Sequence, residues 1–498
     1  MALDPRLPVI IGGGQWNNRV DRGESPVEPV DLVAEALRRA GDDSGVGSRA
    51  LTGADAVWIV QMLSWRYADP AALVASRLGA SPRDTAVSPM GGNEPQALVT
   101  QACLDIAAGE RDLVLIGGAE AWRSRAAHGG KELGWTTMTE TDAPARRTSD
   151  DAPLNHPAEI GRGIVMPTQI YPLFEQAFRH AAGRSIADHL VHVGELWSRF
   201  SEVAAANPHA WVQQALTPEQ VRTPSATNRW ITWPYTKVMN ANNSVEQGAG
   251  LIVTSVERAT ALGVPRDRWV FPWAATDAHD HYAVSHRADL ASSPAIRLAG
   301  RELFALAGRG VDDVAHVDLY SCFPSAVQVA AAELGLSSDR NLTVTGGLSF
   351  AGGPWNNYVS HSLATMLGVL RDDAGSLGLV TANGGYLTKH ALGLYSTTPP
   401  TSEDGFRSAS LQVAVDALPS RELCEDVGAS GASGQIESWV VTHDRSGAPE
   451  RAVATVLLDD GRRAWADSTA ADALVELMSG SEQIGRTVKV TPDGTLAL

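Results

Sequence analysis

The sequence predicts an α/β fold built from two similar halves, followed by a small all-β unit. Three observations carry this. Apolar strand-like runs alternate with helical patterns through residues 8–385. A unit of Gly-Gly turn, buried helix, apolar strand and second Gly-Gly occurs at 88–122 and again at 346–385, which implies an internal duplication. After Pro399-Pro400 the pattern turns to short alternating runs and tight turns.

The elements follow in order. Pro8-Val9-Ile10-Ile11 reads as a first strand, ended by a tight turn at Gly12-Gly13-Gly14. No GxGxxG pattern accompanies the triplet and no helix follows at once, so it is only a weak nucleotide-binding signal. Residues 29–40 read as an amphipathic helix with Leu32, Val33, Ala36 and Leu37 on one face. Residues 56–60 form a strand and 71–78 a helix closed by Gly79, and the alternation predicts a mostly parallel sheet. Gly91-Gly92 then makes a tight turn. Asn93 reads as an N-cap, Glu94 as an ionised residue at the positive helix end, and Pro95 belongs to a first turn. Residues 97–108 are small and apolar on most sides, the mark of a buried helix. Leu113-Val114-Leu115-Ile116 is a central strand that the chain leaves at Gly117-Gly118.

Residues 123–240 break the rhythm. A polar surface loop at 141–151 precedes helices at 170–182 and 186–206, the second stopped by Asn207-Pro208. Residues 251–254 return to strand, and the second half begins near Trp269. There a strand at 314–319, a helix at 326–334, a Gly-rich turn at 346–354, a helix to 370 and a strand at 377–381 follow. Beyond residue 400, strands at 436–441, 452–458 and 485–490, with a short helix at 471–478, predict a small β-barrel-like, OB-like domain.

Composition narrows the function classes. Net charge is −17, and residues 401–498 carry 8 basic against 16 acidic side chains. This argues against nucleic acid and against an anionic membrane surface as partners, the OB-like pattern notwithstanding. No apolar run approaches a membrane span, and the N-terminus lacks a basic n-region and a long h-region. Three widely spaced cysteines do not make a disulfide framework, so a cytoplasmic setting is expected. His279, Asp280, His281 and His286 have only loose metal-ligand spacing, and no metal site is expected.

The stretch 88–122 resembles the thiolase superfamily, whose strand after the buried helix ends in Gly-Gly-x-Glu, as Gly117-Gly118-Ala119-Glu120 does. The resemblance spans roughly residues 5–400. It implies a first half at 1–122 and 241–265, a loop domain at 123–240, a second half at 266–400, and an added domain at 401–498. The run 229–234 resembles the family's return from the loop domain into the core. Thiolases use a nucleophilic Cys, a His that activates it, a second Cys as acid/base and an Asn or His that holds a water. Carried over residue by residue, these fall on Gly91, Gly353, Ala382 and Tyr320. The Asp-Gly-Ala of the family reads Gln247-Gly248-Ala249. Cys322-Phe323 resembles the His-Asp-Cys-Phe motif of the sterol-carrier-protein-linked branch. The shape is kept and the cysteine chemistry is absent.

The resemblance therefore implies a protein that binds CoA or acyl-CoA thioesters without ordinary thiolysis or Claisen condensation, and with no cofactor. Gly92, Gly352, Asn383 and Gly384 are the expected substrate-binding positions. Arg229 and Lys237 are candidates for the phosphates of CoA. Tyr320, Cys322 and His390 are the candidate catalytic residues, each weighed against a structural role. Two alternatives stay open: a carbon–carbon lyase cleaving a β-hydroxyacyl-CoA with Tyr320, as thiolase-like aldolases do, and a non-catalytic scaffold. Oligomeric state is open.

Overall fold

The computed structural model describes residues 3–128, 132–139, 143–400 and 405–498. Its first sheet runs Pro8–Asn17, Glu246–Ser255, Leu113–Ala121, Ala56–Ile59, Asp84–Val87, Arg146–Arg147. The second runs Val314–Asp318, Leu377–Gly384, Lys389–Ser396, Phe271–His279, Arg407–Ser410. Both sheets are mixed rather than mostly parallel, because the strands Glu246–Ser255 and Lys389–Ser396 are antiparallel to both their neighbours.

The helices Glu94–Ala107 and Tyr358–Asp372 lie between the two sheets, touching strands of each and one another. That is why neither has a polar face: a helix covered on both sides buries most of its circumference. Each follows one of the paired glycine turns, so the internal repeat becomes two buried helices with their N-terminal ends at one cleft.

Several strand readings change. Gly12-Gly13-Gly14 is not a turn; the strand continues to Asn17 with a bulge between Ile10 and Gly12. A Cβ at Gly12 would strike the Ala40 carbonyl, and one at Gly14 the Ala36 carbonyl, so these glycines let the helix Pro29–Asp43 lie directly on the strand. The chain likewise does not leave the next strand at Gly117-Gly118, which stays in the sheet to Ala121. A Cβ at Gly117 would come within 2.9 Å of Val33 Cγ1, and one at Gly118 within 2.6 Å of Asn357 Cγ. The strands Phe271–His279 and Lys389–Ser396 and the helix Pro294–Ala307 were not legible in the pattern. Of the surface loop at 141–151, positions 141 and 142 lie outside the described residues, while Arg146–Arg147 forms the edge of the first sheet.

The C-terminal part is an antiparallel sheet in the order Arg463–Ser468, Pro449–Leu458, Ala432–His443, Thr487–Val490, Leu496–Ala497. A parallel bridge from Asp467 to Thr495 brings its two ends together, and the helix Ala471–Leu477 sits between the third and fourth strands in chain order. Trp230–Trp233, expected to return into the core of the first half, pairs instead with this sheet, Trp233 opposite Val441. Arg463, fully buried, ties the unit down. It pairs with Glu437 at 2.6 Å and donates to the carbonyls of Val284, Ser285 and Arg287.

Candidate functional site

The turns before the two buried helices meet the ends of Val314–Asp318 and Leu377–Gly384 around a cavity of about 330 Å³. Of the residues singled out in the sequence, Gly91, Gly92, Tyr320, Cys322, Asn383 and Gly384 line it. Gly352 and Gly353 stand behind the wall. A Cβ at Gly353 would lie 2.9 Å from the Oδ1 of Asn243, which does line the cavity, and one at Gly352 would strike Gln247. Ala382 and His390 open instead onto a second, much smaller void of about 10 Å³, which shares Tyr320 and Asn383 with the larger one.

The place of a nucleophile at Gly91 is taken. A Cβ there would collide with Asn93 Oδ1 and come within 2.7 Å of Lys389 Nζ. Lys389, which the sequence reading passed over, donates to the Met90 carbonyl, and its partial burial lowers its pKa against the pull of Glu94 and Asp151. Asn93 does not cap the helix; its side chain donates to Glu94 Oε1 at 2.8 Å. Glu94 is not an exposed ionised cap either. Burial pushes its carboxyl up to about 7, against the charge of Lys389 and the Asn93 hydrogen bond.

The far wall is aromatic. Tyr171 stacks on Phe323 at 4.4 Å and organises three backbone or side-chain partners. Its hydroxyl donates to the Gly385 carbonyl at 3.0 Å and accepts from Leu387 N and Asn383 Nδ2, each at 2.8 Å. Nothing in the local sequence around Tyr171 marks it, because it reaches the site on the helix Pro167–Ala181 of the inserted segment. Burial pushes the Cys322 thiol up to about 12, so it stays protonated near neutral pH. Burial, with Cys322 nearby, also raises the Tyr320 phenol well above a tyrosine's ordinary value. Its hydroxyl packs against Gly92, where a Cβ would strike it, and makes no hydrogen bond among the described residues.

An open groove of about 1050 Å³ leads away from the cavity and shares Thr168, Asn240, Ala241 and Asn243 with it. Lys237, Arg123 and Trp211 line this groove. Arg229 does not. Its Nη1 donates to the carbonyls of Trp230 and Asp444, toward the C-terminal unit. The ring of His279 faces the Asp280 carbonyl at 3.0 Å and that of His286 the Arg421 carbonyl at 3.1 Å. Among the described residues no helix is long and apolar enough to cross a membrane.

Residues 410–495 match the family described as the thiolase-like protein type 1 additional C-terminal domain. Over 100% of this chain and 99% of the other, the fold is similar to that of a monomeric SCP2-thiolase like protein type 1 from Mycobacterium smegmatis, with a TM-score of 0.84 and 33% identity. An acetyl-CoA acetyltransferase of Methanocaldococcus jannaschii is 22% identical over 61% of this chain and 70% of its own length. A 17-hydroxy-3-oxo-4-pregnene-20-carboxyl-CoA lyase of Mycobacterium tuberculosis is 26% identical over 49% of this chain and 59% of its own.

Proposed function

The chain belongs to the SCP2-thiolase-like protein type 1 family, and from that premise we propose that it binds CoA or an acyl-CoA thioester between its two α/β halves without ordinary thiolase chemistry. One observation carries the reading: the groove and the cavity share a wall at Thr168, Asn240, Ala241 and Asn243. A CoA thioester has that shape, a charged nucleotide at one end and an apolar acyl group at the other. Lys237 and Arg123 face the nucleotide end, and the phenols and Cys322 surround the acyl end. The glycines at 91 and 353 and the alanine at 382 supply neither nucleophile nor base, and the Cys322 thiol stays protonated. Calorimetric titration with CoA and a series of acyl-CoAs tests this. Binding that weakens with added salt and in Lys237→Ala is expected, and no binding at millimolar ligand would favour the scaffold reading instead.

A second reading has its own observation. The unengaged Tyr320 hydroxyl at the cavity wall is a proton donor in search of a partner, which suits cleavage of a β-hydroxyacyl-CoA. A relative named as a CoA-ester lyase supports it. Loss of such cleavage in Tyr320→Phe is the test.

We read residues 432–497 as an OB-like packing domain, on its strand order, the parallel closing bridge and the helix after the third strand; the expected boundary at 400 moves, because Arg407–Ser410 is the edge strand of the second-half sheet. Three free, buried thiols support a cytoplasmic, reducing setting.

A further inference from the structure

We propose that the thioester taken by this site carries an uncharged, apolar acyl chain longer than the cavity, whose far end leaves across an exposed rim formed by Met90, Val165 and Met166. The inference rests on the first reading above, in which a CoA thioester binds between the two halves.

The cavity wall carries no charge. Among the described residues that line it there is no Asp, Glu, Lys, Arg or His. Its ionisable groups are phenols and one thiol. Burial raises the pKa of Tyr171, Tyr320 and Tyr386 and pushes the Cys322 thiol up to about 12, so all four stay neutral near neutral pH. Two amides on the wall are engaged within the protein. Asn356 accepts from Gly91 N at 3.1 Å and donates to the Gln61 carbonyl at 2.9 Å, and Asn383 donates to the Tyr171 hydroxyl at 2.8 Å. The Tyr320 hydroxyl is left as a neutral donor. One neutral hydrogen bond does not replace the hydration that a buried carboxylate gives up. The wall therefore selects against an acyl group that ends in a carboxylate inside it.

The rim is equally apolar, but it stands in water. Met90, Val165 and Met166 line the cavity and are 38%, 37% and 51% exposed. Large apolar side chains are ordinarily exposed one at a time, and three around one cavity mark a surface that something covers. Their exposure is not slack chain. Met90 N donates to Asp151 Oδ1 at 2.6 Å, and its carbonyl accepts from Lys389 Nζ. The Val165 carbonyl accepts from the Tyr386 hydroxyl at 2.6 Å, and Met166 N donates to Gln169 Oε1 at 3.0 Å. The backbone is pinned while the side chains stay out. The charged groups in these ties, Asp151 and Lys389, are not on the cavity wall.

Continuity decides the occupant. The three side chains belong to the same wall that holds the acyl group, so a chain that outgrows the cavity meets them next. Laying it over them takes apolar surface of both partners out of water. Two of the three are methionines, whose flexible thioethers fit chains of differing length and shape.

The test is calorimetric titration of the full chain with CoA and with acetyl-, butyryl-, octanoyl- and dodecanoyl-CoA, each below its micelle concentration. Succinyl-CoA, which matches butyryl-CoA in length but ends in a carboxylate, completes the series. Affinity is expected to rise from acetyl- to dodecanoyl-CoA, by up to about fourfold per methylene buried. Succinyl-CoA is expected to bind at least roughly 10-fold more weakly than butyryl-CoA. The double variant Val165→Ser, Met166→Ser alters only exposed side chains and is expected to cut the advantage of dodecanoyl- over butyryl-CoA by about 10-fold. Dodecanoyl-CoA binding no tighter than butyryl-CoA, or succinyl-CoA binding as well as butyryl-CoA, overturns the inference and leaves the CoA reading standing. A dodecanoyl advantage that persists unchanged in the rim variant also overturns it, because the chain then runs elsewhere. Absence of binding by every thioester overturns the CoA reading and this inference together.

Discussion

Restoring the cysteine at the nucleophile position should not restore a thiolase. In Gly91→Cys the new Cβ would collide with Asn93 Oδ1 and lie within 2.7 Å of Lys389 Nζ and 3.0 Å of its Cε. Overpacking of this kind costs about 1–3 kcal/mol. Lys389→Ala in the same chain removes two of the three contacts, so the two changes should couple favourably, by roughly 0.5–3 kcal/mol in a double-mutant cycle. Chemistry is limited separately. In the double variant, with Lys389 gone, a thiol of ordinary pKa, about 8.5, is only about 3% thiolate at pH 7. Neither Gly353 nor Ala382 supplies a base, and a Cβ at Gly353 would already crowd Asn243 at 2.9 Å. Thiolysis of acetoacetyl-CoA is followed by loss of its enolate absorbance, with intact-protein mass spectrometry for an acyl adduct. The expected result is no turnover above background in either variant, with lowered thermal stability in the single and partial recovery in the double. Robust thiolysis, or stoichiometric acylation of the introduced thiol, would refute the claim that the site has been refilled.

Gly92→Ala should weaken acyl-CoA binding in the same calorimetric titration, because its Cβ would strike both the Tyr320 hydroxyl and the Asn383 carbonyl at the cavity wall. Glu94→Gln should flatten the pH dependence of stability between about 4.5 and 7: the buried carboxyl is raised to about 7, folding takes up a proton in that window, and the wild type therefore loses stability as pH rises through it. Denaturant melts across pH check this; an unchanged slope would show that Glu94 ionises freely. Tyr235→Phe removes a hydrogen bond to the buried Glu175 carboxylate and orphans Ser325 N, a loss on the order of 1.5–3 kcal/mol. Burial raises Glu175, but His189, Tyr235 and Gln328 outweigh it and hold the carboxyl low, so this deficit is fully present above the unfolded carboxylate range and shrinks as pH falls through the folded value. Arg463→Met leaves Glu437 without its partner, and the measured cost should be about 3–5 kcal/mol, read as earlier proteolysis of the C-terminal part.

What the chain alone determined is what depends on neighbours in sequence. The repeat of glycine turn, apolar helix and apolar strand is a local pattern, and it located the two buried helices and the cleft at their ends. The identities at 91, 353 and 382 are equally local, and no fold can supply a thiol or imidazole that they lack. What depends on packing was decided only in three dimensions. Gly12–Gly14 read as a turn because glycine weakens a strand, yet they remain in one because a helix presses its carbonyls against them. Glu94 read as an ionised cap because helix ends favour carboxylates, but burial decides its charge, and burial comes from distant chain. Arg229 and Lys237 look alike in sequence; one meets a carbonyl of the C-terminal unit and the other a groove. His390 read as a catalytic candidate; it pairs with the cavity-lining Asn383 yet lines only the smaller void beside it, and nothing short of the packed structure shows this.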